Sequence, residues 1–263
     1  MFHTPQPYRG LRFVALAHRG GAELPGLEGR ENTVAAFQAA VALGYDCLET
    51  DVRGTADGQV MVFHDADTAR LTGVPGRIER RTKAEVDQLR VGGEAIPSFD
   101  ELLEAFPGQR FNVDLKTDNA VQPLASLIAR HRAQERVLVT SFAPIRLARF
   151  RAVACGRVAT GVSWPGIAWN RFGRRGAWPV GIGGQAFQVP VRQRLGQVNI
   201  SLLNRRLIDN AHRAGRSVHV WTVNDAATME AVIAAGVDGI ITDRPDILKT
   251  VLQDHDLWEG SHD

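Results

Sequence analysis

The chain has 263 residues, of which 44% are hydrophobic and 23% charged, a composition typical of globular proteins. Its 31 basic and 29 acidic residues leave a net charge of +2, so the overall charge does not favour binding of nucleic acid. No apolar stretch reaches the ~18 residues of a membrane-spanning helix, and the N-terminus lacks the basic and apolar segments of a signal peptide. We therefore predict a cytoplasmic protein that binds no nucleic acid.

Short apolar runs alternate with helical patterns along the chain. Eight runs predict strands, at 13–18, 47–52, 110–116, 137–141, 157–162, 186–189, 218–223 and 239–242, and a further run at 60–64 predicts a hairpin partner of the second strand. Helices are predicted at 34–43, 82–89, 98–105, 121–132, 145–152, 202–214, 226–235 and 245–252. This alternation is typical of an α/β protein with a parallel sheet, and eight such units in ~250 residues predict a (β/α)8 TIM barrel. A doubly wound open sheet is the alternative, but no Gly-x-Gly-x-x-Gly follows the first strand.

The interval from 53 to 109 is too long for a simple connection between two barrel strands. It contains the hairpin and more than one helical pattern. We interpret it as a rim hairpin with a small insertion after the second strand, inside one domain that spans 1–263. The last residues, 253–263, are polar and are predicted to be a frayed tail.

Glu49 and Asp51 are the first candidates for chemistry. They lie two apart on a predicted strand, so their side chains point to the same side. Asp57-Gly58 predicts a two-residue hairpin turn, and that turn would place His64 directly opposite Asp51. Neighbouring carboxylates repel each other unless a positive group lies between them, and oxygen ligands suit Mg²⁺ or Ca²⁺.

Further polar side chains come at or just after the C-terminal ends of the predicted strands: His18, Glu49, Asp51, Asp114, Lys116, Ser141, Trp221, Asn224 and Asp243. In a TIM barrel these strand ends share one face, where the active sites of this fold lie. Asp114 is a third carboxylate, Lys116 and Arg19 offer positive charge to an anionic substrate, and His18 is a second histidine beside His64. The combination indicates metal-assisted transfer at a phosphate ester with paired acid and base.

A series of motifs, in order over residues 14 to 250, resembles the glycerophosphodiester phosphodiesterase family. The motifs are His18-Arg19-Gly20, Glu31-Asn32-Thr33, Glu49-Thr50-Asp51-Val52, Asp57-Gly58, Val62-Phe63-His64-Asp65, Ile96-Pro97-Ser98, Asn112-Val113-Asp114-Leu115-Lys116, Thr140-Ser141-Phe142, Val220-Trp221-Thr222-Val223-Asn224 and Gly239-Ile240-Ile241-Thr242-Asp243-Arg244-Pro245. The resemblance implies a TIM barrel with a rim insertion. It also implies that glycerophosphodiesters are hydrolysed to glycerol 3-phosphate and an alcohol, with Mg²⁺ or Ca²⁺ as cofactor.

The same resemblance implies a role for each candidate residue. The resemblance implies that Glu49, Asp51 and Asp114 bind the metal and that His18 and His64 are the acid and base. It also implies that Arg19, Lys116 and Trp221 bind the substrate. Glu31 would support the site. The family more often has Glu in the place of Asp114. Because Asp is one methylene shorter, the metal would sit lower in the barrel or bind through water.

Two other functions stay open. The segment 163–178 concentrates three of the five tryptophans, and as a loop over the barrel it would receive a lipid chain or touch a membrane surface weakly. That reading favours a lysophospholipase D acting on lysophospholipids. A non-catalytic barrel that binds phosphate metabolites is the alternative from another class. The predicted partner is a small-molecule glycerophosphodiester. The sequence does not indicate the oligomeric state.

Overall fold

The structure, a computed structural model, describes residues 5–172, 183–191, 193–195, 198–200 and 202–260. Its strands are β1 (Val14–His18), β2 (Cys47–Gly54), β3 (Val60–Val62), β4 (Arg90–Val91), β5 (Glu94–Ala95), β6 (Arg110–Leu115), β7 (Val137–Thr140), β8 (Ala159–Thr160), β9 (Ala186–Pro190), β10 (Gln193–Leu195), β11 (Val198–Ile200), β12 (Ser217–Trp221) and β13 (Gly239–Thr242). Its α-helices are α1 (Val34–Ala42), α2 (Ala69–Thr72), α3 (Lys83–Val86), α4 (Phe99–Ala105), α5 (Val121–Arg130), α6 (Pro144–Val153), α7 (Trp164–Phe172), α8 (Arg205–Arg213), α9 (Ala226–Ala234) and α10 (Pro245–Asp254). Short 3₁₀ turns lie at Ile78–Arg80 and Asp118–Ala120.

Eight parallel strands form the central sheet. Their order is β8-β7-β6-β2-β1-β13-β12-β9, and β3 pairs with β2 off this path. A parallel bridge pairs Gly161 with Ala186, so the two end strands of the sheet also meet. The result is a nearly closed barrel with helices around it, which confirms the predicted TIM-barrel fold.

The alternation of side chains along each strand separates an outer core from the barrel interior. On β6, Phe111, Val113 and Leu115 belong to the apolar core that packs against the helices, so Asn112 and Asp114 face the interior. Each fully buried side chain of this size contributes roughly 1.5–3 kcal/mol to folding. The outer core therefore fixes the direction in which the polar side chains point.

The strand register then brings the interior polar residues to one level. Asp51 of β2 lies beside Asp114 of β6, and His18 of β1 lies beside Glu49. His18, Asp51 and Asp114 lie in the C-terminal halves of their strands, and Glu49 lies beside His18 through the register of β1 and β2. The fold thus collects them at the barrel mouth without any contribution from loop flexibility.

The predicted register of the hairpin is wrong by one residue. Val52 pairs with Val62, so Phe63 rather than His64 lies opposite Asp51, and the Phe63 N–H donates to the Asp51 carbonyl at 2.9 Å. The loop has three residues instead of two and ends at Gly58, whose φ of +82° is left-handed. Such a loop, a turn followed by a glycine bulge, is the next most common hairpin connection after the two-residue turns.

The insertion after β3 has a small core of its own. Met61, Phe63, Ile78, Val86, Leu89, Val91 and Ile96 pack together. The helix predicted at 82–89 is only one turn long, α3, and it begins with a capping box between Thr82 and Glu85. The β4–β5 hairpin follows, and α4 returns the chain to the barrel.

Two further segments differ from the predictions. The residues predicted to be a loop at 163–172 form the helix α7, whereas Trp178 lies outside the described residues. Instead of fraying from 253, the chain continues α10 to Asp254 and packs Trp258 against Tyr45, with ring centroids 5.1 Å apart. Among the residues that the structure describes, no helix is long and apolar enough to cross a membrane.

Candidate active site

A cavity of about 520 Å³ opens at the C-terminal mouth of the barrel. Eight of the nine residues predicted for the site line it: His18, Arg19, Glu49, Asp51, His64, Asp114, Lys116 and Trp221. The ninth, Glu31, lies behind Arg19, whose Nη1 donates to Glu31 Oε1 at 2.8 Å. Asn112, Thr140, Phe142 and Gln188 complete much of the wall.

Two cations balance the carboxylates at the bottom of this cavity. Lys116 Nζ lies 2.6 Å from Asp114 Oδ2 and 3.0 Å from Asp51 Oδ1. Arg19 Nε lies 3.2 Å from Asp51 Oδ2. Burial opposes ionisation of Asp51, but Lys116 and Arg19 outweigh it and hold the pKa of Asp51 below its usual value. Asp51 is therefore a carboxylate in this site.

The negative charge of the cluster is nevertheless not fully compensated. Burial and the neighbouring Asp51 raise the pKa of Glu49 to about 7. Asp114 Oδ1 is buried and has no hydrogen-bond partner, which is a costly state for a carboxylate oxygen. The raised pKa of Glu49 and the unpartnered oxygen of Asp114 are features that a divalent cation would relieve, and oxygen donors suit Mg²⁺ or Ca²⁺. The three carboxylates do not form a ready-made cluster, however: among the described residues, the group whose ligand atoms all lie within 4.8 Å of one another is Asp100, Glu104 and His131.

His18 is oriented by a carboxylate at the end of the neighbouring strand. Its Nδ1 lies 2.6 Å from Asp243 Oδ1, which leaves Nε2 near Glu49 at 3.7 Å. Asn224 Nδ2 donates to Asp243 Oδ2 at 2.9 Å. Burial disfavours the imidazolium, but Glu49 and Asp243 outweigh it and raise the pKa of His18 above its ordinary value.

His64, which lines the same cavity, has a similar arrangement. Its Nδ1 lies 2.7 Å from Asp65 Oδ1. Arg53 Nε and Nη2 donate to the His64 carbonyl at 3.0 and 2.8 Å, which fixes the backbone just after β3 ends. Burial and the positive charge of Lys116 outweigh Asp51 and lower the pKa of His64. His64 thus reaches the site because Arg53 holds its backbone, and not because of the predicted strand pairing.

The backbone around Arg19 adopts a conformation that few residues tolerate. Arg19 and Asn32 have φ values of +52° and +61°. The Asn32 N–H donates to the Arg19 carbonyl at 2.9 Å, and Asn32 Nδ2 donates to Asp51 Oδ2 at 3.0 Å. The Arg19 N–H donates to Glu49 Oε2 at 3.1 Å. Left-handed non-glycine residues are maintained only where surrounding contacts compensate for the strain, and such places are often functional sites.

Sequence reasoning missed the roles of several residues that orient the site. Asp243 and Asn224 were recognised only as polar residues at strand ends, and Asp65 only as part of a motif. The sequence offers either Asn32 or Thr33 as the cap of α1, and the structure uses Thr33, while Asn32 contacts Asp51. A carboxylate next to a candidate histidine is a signal that could have assigned Asp65, but no local pattern marks a contact across 225 residues such as that of His18 with Asp243.

An aromatic wall borders the cavity on the other side. Phe142 packs edge-on against Trp221 with centroids 5.6 Å apart and also contacts Trp164 at 6.4 Å. Lys116 Nζ lies 5.5 Å from the Phe142 ring centroid. A second cavity of about 390 Å³ lies along this wall and shares Thr140, Phe142, Gln188 and Trp221 with the first. The mouth therefore has a charged half and an apolar half.

Comparison with known proteins identifies the family of this chain. Residues 18–247 match the model of the glycerophosphoryl diester phosphodiesterase family. The chain is 36% identical over 256 residues to a protein of Mycobacterium tuberculosis named probable glycerophosphodiester phosphodiesterase 2, with 94% of each chain covered. It is 27% identical over 295 residues to a lysophospholipase D of Rattus norvegicus, covering 92% of this chain and 87% of the relative.

A solved structure shares the fold. It is an Oleispira antarctica phosphodiesterase in complex with the product sn-glycerol-3-phosphate, with a TM-score of 0.74, 22% sequence identity and coverage of 91% of this chain and 96% of that one. These findings confirm the resemblance stated from the motifs. The chain belongs to the glycerophosphoryl diester phosphodiesterase family and is an enzyme of that class.

Proposed function

We propose that this protein hydrolyses glycerophosphodiesters to glycerol 3-phosphate and an alcohol with the help of a divalent cation. The observation that carries the proposal is the pair of histidines, His18 and His64, which line one cavity together with three carboxylates and two cations. Each histidine has its Nδ1 beside an aspartate. Its Nε2 is therefore the nitrogen left to exchange a proton with a substrate.

Arg19 and Lys116 are the groups that would bind the phosphate. Arg19 Nε is buried and lies near Asp51 without the geometry of a hydrogen bond. Lys116 carries three donors, and two of its contacts are with Asp51 and Asp114. Both side chains thus lie close to carboxylates that would bind the cation. Once those carboxylates bind the cation, Arg19 and Lys116 would be available to the phosphate oxygens.

Glu49, Asp51 and Asp114 would hold the cation. When bound, a divalent cation supplies positive charge that neutralises the phosphate and the charge developing in the transition state. The shorter Asp114 still has a buried carboxylate oxygen without a hydrogen-bond partner. Glu31 would act on the site indirectly, through the contacts of its carboxylate with Arg19 and Arg70.

His18 and His64 would share the proton transfers. The pKa of His18 is raised and that of His64 is lowered, so the pair offers one histidine better suited to donate a proton and one better suited to accept it. That is the starting combination for acid and base catalysis. The attacking group is either water or the 2-hydroxyl of the substrate's own glycerol, and the second route would give a cyclic phosphate first.

A second candidate function is favoured by the aromatic wall. The cavity beside Phe142, Trp164 and Trp221 would receive the acyl chain of a lysophospholipid, as in a lysophospholipase D. Phe142, Ile145 and Trp169 are large apolar side chains that are exposed. They would give this rim a weak contact with a lipid surface. The part of the predicted contact segment beyond Phe172 lies outside the described residues.

The experiment is a hydrolysis assay with glycerophosphocholine, glycerophosphoethanolamine and lysophosphatidylcholine after chelation, with Mg²⁺, Ca²⁺, Mn²⁺ or Zn²⁺ then added back. We expect release of glycerol 3-phosphate from the first two substrates, loss of that release on chelation, and recovery with one or more cations. Faster turnover of lysophosphatidylcholine would favour the lysophospholipase D. No hydrolysis with any cation would instead support a non-catalytic phosphate-binding barrel.

A further inference from the structure

One side chain of the insertion contacts two carboxylates of the active site at once. Arg70 lies on α2. Its Nη1 and Nη2 donate to Glu31 Oε2 and Oε1 at 2.9 and 2.7 Å. Its Nε and Nη2 donate to Asp65 Oδ2 and Oδ1 at 2.5 and 3.1 Å. The guanidinium is thus bidentate toward both acids, the geometry that makes Arg–carboxylate pairs specific.

Each of these carboxylates holds a proposed active-site residue with its remaining capacity. Asp65 Oδ1 contacts His64 Nδ1 at 2.7 Å. Glu31 Oε1 accepts from Arg19 Nη1 at 2.8 Å. Arg70 is therefore one residue away from a proposed catalytic histidine on one side, and one residue away from a proposed phosphate-binding arginine on the other.

An ordinary surface ion pair does not account for this arrangement. Arg70 is 50% exposed, and exposed pairs usually contribute little to stability. However, Glu31 is buried, and two side chains ordered by the same planar group cannot turn independently. The single guanidinium instead holds two carboxylates from separate parts of the chain at a fixed distance from each other.

We propose that Arg70 is a positioning residue, through which the insertion fixes the orientation of His64 via Asp65 and of Arg19 via Glu31. The proposal rests on the proposed function, since it assigns the two oriented residues to the reaction. Without Arg70, Asp65 and Glu31 are each left with a single partner among these residues and can rotate. Small misplacements of reacting groups cost up to about 100-fold in rate.

The test measures kcat and KM for glycerophosphocholine in three variants. Arg70→Ala is expected to lower kcat/KM about 10- to 100-fold. Arg70→Lys keeps the charge but loses the planar fork and is expected not to restore the rate. The matched control is Arg90→Ala, an exposed arginine of the same insertion that donates to the backbone carbonyls of Asp87 and Leu89. It is expected to stay within twofold of the parent.

Two further readouts separate positioning from a merely structural role. Millimolar methylguanidinium is expected to recover activity in Arg70→Ala but not in Arg70→Lys, where the ammonium fills the space. In the backgrounds Asp65→Asn and Glu31→Gln, the loss caused by Arg70→Ala is expected to shrink, because the contact it works through is already weakened.

Full activity of Arg70→Ala, or a loss that is unchanged in both backgrounds, overturns the positioning role. If Arg70→Ala does not fold, Arg70→Lys carries the test, and wild-type rates in that variant overturn it. The parent protein is assayed in parallel. A parent that hydrolyses no glycerophosphodiester refutes the proposed function itself, whereas an active parent with an equally active variant refutes only the role of Arg70.

Discussion

The barrel interior and the barrel mouth are built from the same strands but treat polar groups in opposite ways. On β6, Asn112 is followed two residues later by Asp114, and on β12, His219 is followed by Trp221. At the lower level, Asn112, Gln188 and His219 form a neutral network, in which Gln188 Nε2 donates to Asn112 Oδ1 at 2.9 Å and lies 3.4 Å from His219 Nδ1. At the mouth, two residues further along the strands, carboxylates and cations are found instead of amides.

The two histidine environments show why. Burial lowers the pKa of His219 to about 4, so the interior keeps this ring neutral. At the mouth, Glu49 and Asp243 overcome burial and raise the pKa of His18. At these two levels, charge is present where opposite charge is close. Both levels keep a buried polar atom without a hydrogen-bond partner, His219 Nε2 in the interior and Asp114 Oδ1 at the mouth, but the one at the mouth belongs to a carboxylate. Uncompensated polar groups are expected where a ligand completes them.

The largest expected effect tests whether the mouth is catalytic. His64→Ala should lower kcat by about 10²- to 10⁴-fold, the usual contribution of a positioned acid or base. Its side chain is one third exposed, so the melting temperature should change little. The measurement is steady-state turnover of glycerophosphocholine together with thermal unfolding. His212→Ala, which removes an exposed histidine paired with Asp238, is the control. An equal loss in both variants would contradict the assignment.

A smaller effect tests whether the unpartnered carboxylate capacity belongs to a cation. Asp114→Asn should weaken the apparent affinity for the activating cation at least about 10-fold, because a charged oxygen ligand is lost. The concentration of cation that gives half-maximal activity measures this. Asp118→Asn removes an exposed carboxylate that pairs with Arg146, and it should leave that concentration unchanged. The same cation requirement in Asp114→Asn and the parent would remove Asp114 from the site.

The neutral interior makes a prediction about stability rather than rate. Between pH 6.5 and about 4, the unfolded chain protonates residue 219 but the folded protein does not, so this histidine lowers the free energy of unfolding as the pH falls. His219→Phe removes the titrating group. The loss of stability between pH 7 and pH 5 should shrink by an amount on the order of 2 kcal/mol.

Urea unfolding at both pH values measures this difference, with His212→Phe as the exposed control. A slope with pH that is the same in His219→Phe and in the parent would mean that the ring is charged inside the barrel. In that case the contrast between the two levels would fail.

The barrel was predictable from the sequence because its signal is repeated in every unit. Apolar runs such as 137–141 that alternate with helical patterns are typical of strands covered by helices on a parallel sheet. Polar residues at the ends of such runs must then share one face. Most of the predicted site residues line one cavity for this reason, whereas His64 follows the hairpin strand β3 and reaches the cavity through Arg53.

Contacts that depend on the tertiary structure could not be predicted from the sequence. Asp57-Gly58 is compatible with either a two-residue or a three-residue loop, and the choice shifted the hairpin by one residue. Arg53 and Arg70 hold His64 and Asp65 from positions 11 and 5 residues away, and nothing in the sequence distinguishes them from the other arginines. The tryptophan-rich segment carries too little apolar periodicity to separate a loop from the helix α7.

The smallest expected effect concerns the apolar half of the mouth. Phe142 is 53% exposed and contacts Trp164 and Trp221. If the cavity beside it receives an acyl chain, Phe142→Ala should raise KM for lysophosphatidylcholine about 5-fold, which corresponds to roughly 1 kcal/mol of lost aromatic contact.

Glycerophosphocholine has no acyl chain and should be affected only through Lys116, so the ratio of kcat/KM for the two substrates isolates the chain contact. Val153→Ala, on an exposed residue that lines neither cavity, should leave the ratio unchanged. An unchanged ratio in Phe142→Ala would leave the charged half of the mouth as the whole binding site, and would count against the lysophospholipase D.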